Sequence, residues 1–164
     1  MKKIILQLTI IVSLFAQACS QPLEETRLEK YDITITAPKL KSAPEFTDLK
    51  VSETDTELSS YDFYIGNRAR VDVKEITASV YPADTSMLKE AVTGSEDFVE
   101  LIETKQLSNG AFGIIFKMKG SSGTTIKHYI FYFKKGNRFF KMEPVFNSEL
   151  GDLDKQLAAF GSMK

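Results

Sequence analysis

Residues 112–146, FGIIFKMKGSSGTTIKHYIFYFKKGNRFFKMEPVF, decide the fold. Phe112, Ile114, Phe116 and Met118 recur at every second position, the period of a strand with one buried face. Gly120 to Gly123 supplies a turn, and Ile126 to Phe133 is apolar on both faces, which predicts a strand inside a sheet. Lys134-Lys135-Gly136-Asn137-Arg138 turns the chain again. Phe139 to Phe146 then returns, and Pro144, which cannot donate to a ladder, predicts that this third strand is an edge.

The flanks add helices to this antiparallel meander. Downstream, Asn147 or Ser148 can cap a helix with Leu150, Leu153, Leu157 and Phe160 on one stripe, after which Met163-Lys164 is expected to fray. Upstream, Asp84, Thr85 and Ser86 are all N-cap types, and Leu88, Ala91 and Val92 follow at helical spacing before Gly94. Ser95, with Glu96 and Asp97, predicts a second helical segment carrying Phe98, Leu101 and Ile102, either a separate short helix or the same helix bent at Gly94, closed by Ser108-Asn109-Gly110.

Further back, Tyr61, Phe63 and Ile65 alternate, Gly66-Asn67 turns, and Ala69, Val71 and Val73 alternate on the return with Arg70, Asp72 and Lys74 outward. Ile76 to Val80 extends the second arm until Pro82. Residues 39–60, with Pro44 and SETDTELSS around a short strand at Asp48 to Val51, form the longest irregular stretch, a place where function often sits. Tyr31, Ile33 and Ile35 alternate against Asp32, Thr34 and Thr36 in the first strand, which ends at Pro38.

The expected order is strand, hairpin, helix, three-strand meander, helix: an α+β fold in which helices pack on an antiparallel sheet. Over roughly residues 31–164 that order resembles the Mog1/PsbP/DcrB-type sandwich. The resemblance implies a binding or assembly role without a shared catalytic site, and it transfers no functional residue.

The N-terminus carries Met1-Lys2-Lys3, an apolar run, and Ala16-Gln17-Ala18-Cys19. It resembles a bacterial lipoprotein signal peptide with its lipobox, Ala16 standing where leucine is usual. The resemblance implies cleavage before Cys19, diacylation of its thiol with or without acylation of the new N-terminus, and residence in the cell envelope at the outer membrane, its face left open. A membrane-spanning reading is disfavoured because the apolar run is broken by Gln7 and Gln17 and falls short of the ~20 residues of a span. An ordinary secretory signal would leave the chain's one cysteine free and unexplained. The expected organisation is therefore a signal peptide over 1–18, a lipid-anchored tether over 19–30, and one globular domain over 31–164. Glu24 and Glu25 in that tether faintly resemble the acidic surface-export run of some lipoproteins; a solvated linker is the simpler reading.

Composition narrows the chemistry. The whole chain has a formal charge of −1, and loss of Lys2 and Lys3 with the leader takes it to −3, so no basic excess draws it to nucleic acid. The one histidine, His128, falls in the apolar central strand, where a structural role is expected. One histidine and no free cysteine argue against a zinc site. Glu53, Asp55 and Glu57 alternate in a way that could converge on calcium, but they lack an EF-hand's glycine and distal glutamate. Arg68, Arg70, Lys134, Lys135 and Arg138 form two basic hairpin turns that could bind an anionic group if the turns shared one sheet end. The expected function is a non-enzymatic, cofactor-free envelope protein, membrane-attached through Cys19, that binds a protein partner as an accessory, assembly or inhibitor module. The alternatives are a ligand-binding module using residues 39–60 and, third, a carboxylate-based hydrolase.

Overall fold

The computed structural model describes residues 22–65, 69–120, 122–145 and 153–164. The meander forms as β7 (Phe112–Lys119), β8 (Thr125–Lys135) and β9 (Arg138–Pro144), each antiparallel to the next. For numbering in chain order, β1 is Leu23–Leu28, β2 Ile33–Pro38, β3 Glu45–Asp48, β4 Glu57–Ile65, β5 Ala69–Ile76 and β6 Phe98–Gln106. The helices are α1 (Thr85–Thr93) and α2 (Leu153–Gly161). Strands β3 to β9 make one seven-stranded antiparallel sheet in the order β3-β4-β5-β9-β8-β7-β6, and β1 and β2 make a separate two-stranded one.

Alternation along each strand sorts the core into two layers. On the inner face Phe63, Val71, Val73, Ile115, Tyr129, Phe131, Phe140 and Met142 are buried against Ile33 and Ile35 of β2 and Leu157 and Phe160 of α2. On the outer face Leu88 and Val92 of α1 cover Ile76, Ile114, Phe116 and Tyr132. Burial of each large apolar side chain contributes about 1.5–3 kcal/mol, so the inner layer carries most of the stabilisation. Helix α1 starts at Asp84, whose Oδ1 accepts from Ser86 N (2.9 Å) and Met87 N (3.0 Å), and it stops at Gly94.

Six expectations need correction. The second helical segment is the edge strand β6. Its pairing with β7 shifts register between Phe98 and Glu100 and again between Leu101 and Glu103. Each bulge inserts one residue, Val99 and then Ile102, so Phe98, Leu101 and Thr104 come to share a face at a spacing of three, which imitates a helix. Strand β9 is not an edge: it lies between β5 and β8. Pro144 is its last residue, opposite Val71, and Val145 N resumes the pairing to Arg70 O at 2.9 Å, so the missing donor falls at a strand end.

The tether reading does not hold beyond residue 22, because Leu23–Leu28 pairs along the length of β2 and ends on buried Leu28. The strand anticipated at Asp48–Val51 instead runs Glu45–Asp48, β4 begins at Glu57, and β5 ends at Ile76, where a 3-10 turn, Ala78–Val80, follows. The last residues are held, not frayed. Met163 is 1% exposed, Thr34 and Lys164 exchange backbone hydrogen bonds (3.2 and 3.4 Å), and Asn109 Nδ2 donates to Phe160 O and Met163 O. The anticipated cap at Asn147 or Ser148 lies outside the described residues.

Candidate functional site: the charged half of the outer face

Helix α1 lies over β6 and β7. Beside it, the outward side chains of β4, β5 and β9 are charged: Asp72 stands opposite Asp62 and Glu143, and Lys74 opposite Lys141. Two lysines and two glutamates close a ring of alternating sign. Lys74 Nζ lies 3.0 Å from Glu57 Oε2 and 3.0 Å from Glu143 Oε1, while Lys141 Nζ lies 2.9 Å from Glu143 Oε2 and 3.7 Å from Glu57 Oε1. The side chains are shielded, with Lys74 18% and Glu143 16% exposed. One strand repeat further along, Arg70 pairs side-on with Asp62, Nε donating to Oδ1 at 2.8 Å.

The environment sets the protonation states. Burial alone would raise the Glu143 carboxyl, but Lys141 and Lys74 outweigh it and hold it below the usual carboxylate range. Asp72 is pushed up to about 6, first by burial and then by Asp62, with Lys74 and Arg70 only partly compensating. His128 sits on the same face opposite Phe116, the two ring centres 5.3 Å apart, and burial lowers its imidazole below the ordinary value. Ser60, opposite Lys74, keeps a buried hydroxyl with no hydrogen-bond partner among the described residues. With Glu143 ionised and His128 neutral, the ring's charges are matched within it, and Asp72 is the group that titrates in the mildly acidic range.

The basic turns do not converge. The β4–β5 hairpin turns beside the end of β9, where Val71 faces Pro144, whereas the β8–β9 turn lies at the other end of β5, where Ile76 faces Phe139. The eight residues of β5 separate the two by roughly 25 Å at ~3.3 Å per residue. Arg70 is engaged with Asp62, Lys135 Nζ lies 3.3 Å from Asp32 Oδ2, and Lys134 Nζ sits 5.3 Å from the centre of the Phe139 ring. Arg138 pairs with Glu75 and packs over Tyr31 and Phe140, and Arg68 lies outside the described residues.

Nor do the loop carboxylates gather. Asp55 Oδ2 accepts from Val51 N and Ser52 N, both at 2.7 Å, which closes the 51–55 turn and lowers its carboxyl. Glu57 belongs to the ring, and Glu53 is exposed. Among the described residues no three histidine, cysteine or acidic side chains are grouped to hold a metal. A cleft of ≈ 370 Å³ beside the start of α1 is lined by Asp84, Thr104, Lys105, Gln106 and Phe112, with the Asp84 carboxylate engaged as the cap. The sequence pattern places Arg70, Asp72 and Lys74 outward but hides the ring, because Lys141 and Glu143 lie on a strand that Pro144 marks as an edge and that instead pairs with β5. No protein-family model, curated protein or solved structure matches the chain.

Proposed function

We propose that this chain is a lipid-anchored protein of the bacterial cell envelope, attached through Cys19, whose folded body is a non-enzymatic module that docks a protein partner in an accessory, assembly or inhibitory role. The anchor is supported by the leader and lipobox-like residues 1–19. A Mog1/PsbP/DcrB-like sandwich is the finer fold assignment we attach to it, supported by the antiparallel sheet with helices following β5 and β9.

The observation that carries the docking reading is the charged half of the outer face, beside the half that α1 covers. Charges of both signs, fixed in one arrangement and partly desolvated, confer specificity on an encounter more than raw affinity. Docking there would bring further groups to a surface already ordered by ion pairs, so little side-chain entropy remains to be lost.

Site-specific photo-cross-linking in intact native cells tests this. Thr47 stands in the same cross-strand row as Ser60, Lys74 and Lys141, whereas Lys89 is exposed on α1. A photoreactive residue at Thr47 should give one discrete adduct, absent from Lys89 and lost in a folded Lys74→Glu/Lys141→Glu variant. No adduct from Thr47, or the same adducts from both positions, overturns the docking surface.

A further inference from the structure

We infer that the end of the molecule at which β1 begins lies directly against a phospholipid surface, an inference that rests on the Cys19 acylation proposed above. Strand β1 starts at Leu23. Three residues separate Leu23 from Cys19, and four steps of a fully extended chain at ~3.6 Å each put the two Cα atoms within roughly 14 Å of each other whatever path the chain takes. An acylated Cys19 sits at headgroup level, which leaves no room for a long spacer. The first strand is therefore a juxtamembrane element.

The register shows what else shares that end. Leu23 faces Pro38, so the loop that begins at Lys39 starts beside it. Lys41 Nζ lies 5.3 Å from the centre of the Tyr64 ring, one residue before the end of β4, which brings the 39–44 loop to the β4–β5 hairpin. Leu23 is 66% exposed, and Lys39 and Lys41 are exposed as well. One apolar side chain beside two ammonium groups suits the boundary of an anionic leaflet, where lysine stems lie along apolar surface and their heads meet phosphate. The neighbouring Glu25 is paired with Lys164 at 3.4 Å.

The opposite end is equally defined. Strand β1 finishes at Leu28; Arg138 Nη1 then donates to Lys30 O at 3.0 Å, and Lys135 reaches Asp32. The β8–β9 turn with exposed Asn137 therefore stands about one strand length, roughly 20 Å, from the end at which β1 begins, away from the lipid. The ring of Lys74, Glu57, Lys141 and Glu143 lies on the flank between the two ends, where a partner in the same membrane would meet it from the side.

The experiment uses the full chain, made in a lipoprotein-processing bacterium and inserted as the acylated protein into vesicles of phosphatidylethanolamine and phosphatidylglycerol. With the Cys19 thiol blocked by acylation, a Lys39→Cys or Asn137→Cys variant takes a fluorophore at one place only. Quenching by a headgroup-attached quencher should be several-fold stronger from position 39 than from 137, and a long Gly-Ser spacer inserted after Ser20 should abolish that difference. Equal quenching, or stronger quenching from 137, in protein whose intact mass carries the acyl groups overturns the orientation and leaves the anchor standing. An intact mass without acyl groups, in protein that does not float with vesicles, overturns both.

Discussion

Arg138 and Glu75 meet side-on across the β5–β9 boundary, Nε donating to Oε1 and Nη2 to Oε2 at 2.7 Å each. The guanidinium also packs over Tyr31, whose hydroxyl accepts from Glu75 N and shares a hydrogen bond with Ser59. One arginine thus ties the β1–β2 layer to the seven-stranded sheet. Arg138→Ala is expected to cost about 1–2 kcal/mol, the partly exposed guanidinium keeping the loss below that of a fully buried pair. Arg138→Lys should recover less than half of it, because an ammonium cannot make the two parallel bonds. Urea unfolding checks both, and a lysine variant as stable as the parent would show that the fork geometry contributes nothing.

Asp72 carries the sharpest pH signature. Its folded-state carboxyl is raised to about 6 against an ordinary value near 3.8. The folded protein therefore holds a proton that the unfolded chain has released between those values, and stability falls as pH rises through that window. Asp72→Asn should stabilise the protein at pH 7 by roughly 1–2 kcal/mol after allowance for solvent screening, with the gain disappearing near pH 4. Chemical unfolding at both pH values decides it; a gain that persists at the lower pH would assign it to packing.

Glu143 gives the opposite slope. Its carboxyl is lowered, so the stability it contributes is present above the unfolded value near 4.3 and is lost as pH falls through the folded one. Glu143→Gln should flatten acid unfolding and, at neutral pH, leave Lys74 and Lys141 facing each other with Glu57 alone between them. A loss of about 1–3 kcal/mol at pH 7 is expected, read by thermal or urea melts.

Gly113 leaves no space for a side chain. A Cβ there would lie 2.2 Å from Ile130 O and 2.7 Å from the Phe131 Cα, both backbone atoms of the adjoining strand. Gly113→Ala should cost about 2–3 kcal/mol or prevent folding, since neither atom moves without opening the β7–β8 ladder. The expressed yield and melting temperature of that single variant test it, and a melt matching the parent would show that the ladder yields at this point.

Tyr129 donates its hydroxyl to Gln156 Oε1, joining β8 to α2 inside the core. Tyr129→Phe removes that donor from a buried amide and should cost about 1–2 kcal/mol. Adding Gln156→Leu to it should restore part of the loss, because removing both polar partners is milder than removing one. A double-mutant cycle on urea midpoints measures the difference.

The meander, the β4–β5 hairpin and α1 were legible because each shows its period without interruption: Phe112, Ile114 and Phe116 by twos, Leu88 and Val92 by four. Strand β6 was not, because bulges at Val99 and Ile102 convert its spacing to that of a helix. Strand β1 has no period to read. Apart from Leu28 its side chains face solvent or a layer edge, and it exists because β2 offers it a ladder. The charged ring was hidden for a third reason, since Lys74 and Glu143 become neighbours only once β9 is known to lie beside β5.

That β5–β9 contact also governs the order of events during folding. Strands β3 to β5 form one stack of local pairings and β6 to β9 another, while Val71 and Pro144 meet only after α1, β6, β7 and β8 have been laid down between them. Closing so long a loop is slow compared with zipping a hairpin. The two stacks are thus expected to form first and to be sutured along one seam afterwards. Lys74 and Glu57 stand on one side of the seam, Lys141 and Glu143 on the other. On the docking reading proposed above, a partner would meet this ring only on a finished molecule, which would make it a certificate of completed folding.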